Sequence, residues 1–334
     1  MFIKLYEKVI NYIKKEYKFL IVLFLIIFLG LFRLPYNLYI GGGTIDLAER
    51  IAVSNEYREK GSFNLSYVKQ MKATIPTYLL SYIFNWERES VDEAKLDEND
   101  NYNDIWKREQ LYLKEANDNA IISAYTLANE DIEIKKEILK ILYVDKDSET
   151  DLEIGDILLN IENHEITEFS DIKDILKDYH VGDKLNVRVL RDEKETDGYF
   201  KVREIDGELK AGLYLIKFYE YTTKRDVKLD FSNREGGPSG GFMVSLAIYN
   251  RLIPEDLTKG RKIVGTGTIT KDGKVGEIGG VLYKLAGAVK GKADIFFVPK
   301  DNYDEAIKLK EEYNYKIEIV KVETLQEAVD YLRR

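Results

Sequence analysis

In the stretch Asn233–Asn250, NREGGPSGGFMVSLAIYN, the loop up to Gly241 sets four glycines and one proline around a single serine, Ser239, and runs straight into an apolar segment. Phe242, Leu246, Tyr249 and Ile253 recur at helical spacing, which predicts a helix that starts close to Ser239 and stops before Pro254. A serine at that point stands among unbonded backbone N–H groups at the positive end of the helix dipole. Such donors can hold an oxyanion, and glycines let a carbonyl approach the backbone closely. The hydroxyl is inert without a base. On the residues alone, the loop reads either as a nucleophile loop or as an anion-binding nest.

The chain offers few bases. Its 334 residues include no cysteine, which excludes disulfides and thiolate metal sites, and only two histidines, His164 and His180, both far from Ser239 in sequence. A net charge of -9 argues against a nucleic-acid partner. Lysine is therefore the candidate base. Lys284 lies among Val281, Leu282, Leu285, Ala286, Ala288 and Val289. Burial there would disfavour the ammonium and lower its pKa from about 10.4. Lys290 and Lys292 sit in more polar surroundings and read as solvated.

The N-terminus has a different character. Phe19–Phe32 reads FLIVLFLIIFLGLF, and Leu34, Tyr36, Leu38, Tyr39 and Ile40 extend it past a snorkelling Arg33. From Phe19 to Ile40 the length suits a bilayer. Lys4, Lys8, Lys14, Lys15 and Lys18 precede the run, so an uncleaved single-pass cell-membrane anchor is expected. Its N-terminus would be cytoplasmic and everything after about Gly41 extracytoplasmic.

Between Trp86 and Asp104 the chain is crowded with charge and reads as solvated. Before it, GSFNLSYV alternates as a strand and ATIPTYLLSYIF reads as a helix with Pro76 in its first turn. After it, Ile105 to Leu127 is helical in pattern. From about Ile138 the order is a strand (ILKILYV), a Gly155-Asp156 turn, a strand through Ile157, Leu159 and Ile161, a short helix capped by Ser170, and a strand (DKLNVRVLR). This order resembles a PDZ domain of the bacterial kind. PDZ domains bind extended peptide C-termini by adding a strand to a sheet edge. The segment KKEILK lacks the glycine expected of the carboxylate-binding loop, so peptide binding and a purely structural role both stay open. The last third alternates strands and helices, from VKLDF through IVGTGTIT and ADIFFVP to TLQEAVDYLRR.

Two blocks in that last third carry a family resemblance. GGPSGG resembles the nucleophile loop of Lon proteases, in which a GPS motif holds the catalytic serine. TGTITKDGKVGEIGGVLYKLAGA resembles the second Lon block, with the catalytic lysine four residues after the second glycine of IGG, which is Lys284. Thr266 matches the threonine that hydrogen-bonds the dyad, and ADIFFVPKDN the strand and loop that follow. There are two departures. Gly236 stands where Lon carries an acidic residue, with Glu235 one step earlier, and Gly240 replaces the usual alanine.

Together, an anchor, a PDZ domain and a Lon-type domain resemble the bacterial membrane-anchored PDZ-containing Lon-like serine proteases. The fold implied is α+β: a transmembrane helix, a PDZ domain and a Lon proteolytic domain like ribosomal protein S5 domain 2. The expected boundaries are residues 1–40 for the basic leader and anchor, 41–135 for the first part of the Lon-type domain, 136–206 for the PDZ domain and 207–334 for the remainder with the dyad. The PDZ domain would then be inserted in the Lon-type domain.

The resemblance implies a serine endopeptidase in which Lys284 takes the Ser239 proton, Thr266 supports the dyad, and the loop Gly237, Pro238 and Gly240 forms the oxyanion site. No metal or organic cofactor is expected. No GxxxxGK[ST] loop occurs, so ATP-driven unfolding is not expected. Protein or peptide substrates outside the cytoplasm are implied, and a homo-oligomer, a hexameric ring by family analogy. Two other readings stand beside this one. One is a catalytically dead, membrane-anchored PDZ scaffold. The other is a small-molecule kinase, which would need nucleotide on the glycine loop and Mg²⁺.

Overall fold

The structure, a computed structural model, describes residues 2–96 and 100–334. Residues 97–99 of the charge-crowded segment lie outside the described residues. In chain order the elements begin with α1 (Phe2–Leu31), β1 (Arg33–Asp46), β2 (Ile51–Val53), β3 (Ser62–Thr74), α2 (Ile75–Ile83), β4 (Glu87–Ser90) and α3 (Tyr102–Ala128). Next come β5 (Ile132–Val144), β6 (Ile157–Ile161), β7 (His164–Glu165), α4 (Phe169–Leu176), β8 (Lys184–Arg191), β9 (Lys194–Lys201), β10 (Arg203–Ile205), β11 (Glu208–Lys210) and β12 (Leu213–Thr223). The last are β13 (Val227–Leu229), α5 (Gly241–Leu252), β14 (Lys262–Gly265), β15 (Thr268–Ile269), β16 (Val275–Gly276), α6 (Val281–Lys290), β17 (Ile295–Pro299), α7 (Tyr303–Glu312), β18 (Glu318–Val322) and α8 (Leu325–Arg333). They fall into two compact units, Met1–Ile40 with Lys69–Ala94, and Gly41–Val68 with Lys95–Arg334.

In the first unit, the expected span Phe19–Ile40 is not one helix. α1 closes at Leu31, and from Arg33 the chain is extended in β1, pairing antiparallel with β4 from Tyr36–Ser90 to Tyr39–Glu87. Pro35 cannot donate to a helical ladder and disfavours helix at Leu34, while Leu38 is fully buried on the strand. The charge-free part of α1, Phe19–Leu31, is about 20 Å long at 1.5 Å per residue, against a hydrocarbon core of about 30 Å. No helix among the described residues is long and apolar enough to cross a membrane. The expected transmembrane helix is therefore corrected to a helix with a short apolar half, preceded by Lys14, Lys15, Glu16 and Lys18.

The second unit is built on a parallel sheet, β18-β17-β14-β3, whose registers run Ile295–Glu318, Ile263–Ile295 and Ile263–Phe63. Parallel sheets are covered on both faces, so their strands are apolar throughout rather than alternating. β17 is buried at every position. Ile263, Ile295 and Phe297 pack with Ile121 and Tyr125 of α3, the apolar length of α5, and Val329 of α8. The opposite face, Val264, Phe296 and Val298, packs with Val281, Leu285 and Ala288 of α6 and Ala306 of α7. α3 starts at a capping box, in which Asn101 accepts from the amides of Asn103 and Asp104 and the Asp104 carboxylate accepts from the Asn101 amide.

A second sheet, β12-β5-β6-β8-β9, has its own core of Leu139, Ile141, Leu158, Val187, Phe200 and their neighbours. In sequence it lies between α3 and β13, whereas α3 and α5 share the first core, so the second sheet interrupts the first core. Gly155 has φ +97°, and the buried Asp156 after it accepts two bonds from Arg191, at 2.8 and 2.6 Å. The α4 cap differs from the expected Ser170. The cap is Glu168, and Asp171 accepts from the amides of Thr167 and Glu168 at 2.7 and 2.9 Å, which leaves Ser170 inside the first turn. A carboxylate accepting two amides outcompetes a single hydroxyl at a helix start. α4 and the strands opposite enclose a 310 Å³ groove lined by Phe169, Ile172, Leu176, Leu209, Leu213 and Leu215.

Candidate active site

α5 begins at Gly241 and every one of its residues is buried, so the loop before it is carried by a helix that cannot shift without disturbing the core. Gly237 takes φ +87°, a left-handed conformation that favours glycine. Ser239 follows two residues later, half-buried. Its carbonyl accepts two bonds, 2.8 Å from the Gly267 amide and 3.0 Å from Thr266 Oγ1, and the Gly267 carbonyl accepts from the Phe242 amide at 3.1 Å. The fully buried Thr266, just past the end of β14, therefore fixes the backbone of the serine.

The three candidate oxyanion residues differ in what they can offer. Pro238 has no N–H. The Gly237 amide is spent on the Glu109 carbonyl at 2.9 Å. Among the described residues, the amides of Ser239 and Gly240 donate to no acceptor, and both stand at the α5 N-terminus. An oxyanion beside Ser239 would find its donors there.

Lys284 stands in the first turn of α6, which opens at Gly280 with φ 71°. Its exposure is 4%. Among the described residues it makes no ion pair and no side-chain hydrogen bond. Burial without a counter-charge pushes its ammonium down to about 8. α5 covers one face of the parallel sheet and α6 the other. A Cβ on Gly240 would lie 3.2 Å from Leu65 of β3, and one on Gly280 2.9 Å from Val68 of the same strand. Three residues of strand span about 10 Å, so the serine loop and the lysine helix both open at the carboxyl end of the sheet, where open α/β sheets hold their ligands. No hydrogen bond joins Ser239 Oγ to Lys284 Nζ in this structure. Such bonds often tighten only around bound substrate. The two histidines, by contrast, are both exposed on the second sheet's module.

Several residues that support the loop carry no sequence signal. Gln110 Nε2 on α3 donates to the carbonyls of Asn233, at 2.7 Å, and Glu235, at 3.4 Å. Glu235 turns back into its own loop, accepting from the Ser232 amide at 2.6 Å and pairing with Arg50 at 3.0 Å. A Cβ on Gly236 would lie 2.9 Å from Glu109 Cβ and 3.4 Å from Trp106 Cη2, so α3 fills the space that an acidic side chain at 236 would need. Arg50 and Gln110 are 185 and 125 residues from Glu235, beyond any local pattern. Replacing Gln110 with alanine is expected to lower kcat about tenfold by loosening the loop. The global unfolding midpoint should move little, a split that steady-state kinetics beside calorimetry would read.

Part of the chain is similar to known proteins. Residues 223–333 match the Lon protease (S16) C-terminal proteolytic domain. The Lon protease of Mesomycoplasma hyopneumoniae is 34% identical over 96 residues, 29% of this chain and 11% of that protein. The archaeal Lon protease of Halobacterium salinarum is 27% identical over 113 residues, 33% of this chain and 16% of that protein. The Lon protease of Campylobacter jejuni is 32% identical over 103 residues, 30% and 13% of the two chains. The chain thus spans between 11% and 16% of these relatives' lengths. Ser239, Thr266 and Lys284 all fall inside the matched Lon segment, so the resemblance read from the two motif blocks holds for the proteolytic domain. Among solved structures, the PDZ domain of an SdrC-like protein from Listeria monocytogenes aligns at 19% identity, covering 25% of this chain and 93% of that one, with a TM-score of 0.23. A related PDZ domain from Listeria innocua aligns at 20% identity, covering 23% and 92%, with a TM-score of 0.22.

Proposed function

We propose that this protein is an ATP-independent serine endopeptidase with a Ser239–Lys284 dyad. The observation that carries the proposal is the pairing of a buried, unneutralised lysine with a serine flanked by two unspent amides at one end of one sheet. Neutral Lys284 takes the Ser239 Oγ proton as Oγ bonds to the peptide carbonyl carbon. The amides of Ser239 and Gly240 receive the oxyanion. The Lys284 ammonium then gives its proton to the leaving amine as the C–N bond breaks. Water enters by the same route: Lys284 takes a water proton, hydroxide adds to the acyl carbon, and Ser239 leaves reprotonated. Thr266 holds the serine backbone through these steps.

The pH dependence follows from the lysine. Below about pH 8 Lys284 is mostly protonated and cannot accept a proton. kcat/KM is therefore expected to rise about tenfold per pH unit up to roughly pH 8 and then level. A flat profile between pH 6 and 9 in a casein assay without nucleotide would remove Lys284 as the base.

The proposal extends to localisation and partners. The apolar half of α1 attaches the chain to the cell membrane from its extracytoplasmic face, and flexible protein substrates meet the site on that same face. The groove between α4 and β12 takes an extended peptide segment that selects those substrates. Copies of the chain assemble, in a ring by analogy with Lon relatives. Protease accessibility of intact and opened spheroplasts reads the side of attachment, since a catalytic domain protected in intact spheroplasts would place it on the cytoplasmic face.

A further inference from the structure

α2 is buried the wrong way round for a helix in water. Its one buried residue is Ser81, which is 0% exposed, donates to the Tyr78 carbonyl at 2.6 Å and accepts from Arg88 at 3.2 Å. Its large apolar side chains point outward: Leu79 is 62% exposed, Tyr82 57%, Ile83 72% and, just after the helix, Phe84 59%. Ile75–Asn85 contains no charged residue. The helix is well formed, with Pro76 in its first turn and a Thr74–Thr77 capping box, so the outward face is held in place rather than frayed. An exposed apolar patch of this kind marks an interaction surface.

The rim of the patch names the partner. The Tyr36 ring lies 4.9 Å from that of Tyr78, and Tyr78 makes an edge contact with Tyr82 at 5.6 Å. Phe84 stacks on Trp86 at 5.5 Å, and the Arg88 guanidinium sits 4.1 Å from the Tyr82 ring. Tyrosine and tryptophan, with arginine among them, make up the belt found at membrane–water interfaces. Tyr36 is also four residues beyond Phe32, where the exposed apolar run that begins in α1 ends, so Tyr36 lies within about 13 Å of that end and holds α2 beside it through Tyr78. The apolar half of α1 is too short to cross a bilayer, and an apolar surface held beside its end supplements it.

We infer that the outward face of α2 is a second membrane contact, with Leu79, Ile83 and Phe84 entering the acyl boundary and Tyr36, Tyr78, Tyr82, Trp86 and Arg88 at headgroup level. This rests on the reading that α1 attaches the chain to lipid. It makes the attachment a two-element seat in the bilayer interface rather than a single tether.

The chain has two tryptophans, Trp86 and Trp106, so the full-length Trp106→Phe variant reports from Trp86 alone. The variant is mixed with vesicles of phosphatidylcholine and phosphatidylglycerol, with and without brominated acyl chains, and bound protein is separated by flotation. Bromolipid is expected to quench Trp86 in the floated fraction by about half or more. In the same background, Leu79→Ser, Ile83→Ser and Phe84→Ser together are expected to weaken partitioning at least about tenfold and to remove the quenching. These side chains are exposed, so the fold should be retained, which circular dichroism checks. If the chain floats but Trp86 is unquenched and the triple substitution changes nothing, the α2 inference falls while attachment through α1 stands. If the substitution instead converts an oligomer to a monomer with vesicle binding intact, the face belongs to a second copy and the inference again falls. If nothing floats, attachment through α1 and the α2 contact both fall.

Discussion

Lys284→Met is expected to abolish peptide hydrolysis and to stabilise the protein at neutral pH. The loss follows because methionine cannot accept the Ser239 proton, and a serine without a base is a poor nucleophile. The gain follows from burial. Lys284 is 4% exposed without a counter-charge, and its pKa is pushed down from 10.5 to about 8. Below pH 8 the lysine is protonated in both folded and unfolded chains, and the folded state carries the full cost of the buried charge, on the order of 3 kcal/mol by linkage. From pH 8 to about 10.5 only the unfolded chain holds the proton, so the cost is relieved as pH rises. A methionine of similar volume removes the cost throughout. The variant should therefore be about 1–3 kcal/mol more stable than the parent at pH 7, with the difference closing above about pH 10. Denaturant melts at pH 7 and pH 10.5, beside a casein assay, read both halves. An active variant would reassign the base, and an inactive one less stable at pH 7 would mean that Lys284 has a structural partner in solution.

Ser239→Ala is expected to lower kcat by about 10⁴-fold or more and leave KM and stability nearly unchanged. The side-chain oxygen makes no hydrogen bond among the described residues. The bonds that shape the loop run through the serine carbonyl, which alanine keeps. The melting free energy should therefore move by no more than about 0.5 kcal/mol. A serine-directed fluorophosphonate should label the parent at this position and leave the variant unlabelled. Residual activity within tenfold of the parent would place the nucleophile elsewhere and return the loop to the role of an anion nest.

Much of the architecture is local and was legible as such. The apolar periodicity after Ser239 specifies α5, and its end before Pro254 follows from proline chemistry. The apolar runs IVG and IFFV become strands buried on both faces because a parallel sheet is covered on both sides. The N-terminal segment shows where hydropathy alone misleads. Phe19–Ile40 is apolar from end to end apart from Arg33, Pro35 and Asn37, yet the chain leaves the helix at Leu31 because Pro35 and a pairing partner 50 residues away favour strand. Ser170 shows the same limit on a smaller scale, since Asp171, which accepts from two amides, sets the helix start at Glu168 and leaves Ser170 inside the first turn.

The sequence by itself determined the chemical vocabulary of the site: a serine in a glycine loop at a helix start, a lysine among small apolar residues, and no histidine or cysteine to compete with them. Tertiary structure alone decided how those groups are tuned and held. Lys284 lacks a counter-charge only because α6 buries it against the sheet. Which amides remain to meet an oxyanion depends on where α3 presents the Glu109 carbonyl. The glycine loop keeps its shape through Gln110 and Arg50, which come from distant parts of the chain. Propensity and periodicity act over a few residues, whereas desolvation and hydrogen-bond satisfaction depend on every group that folding brings within reach.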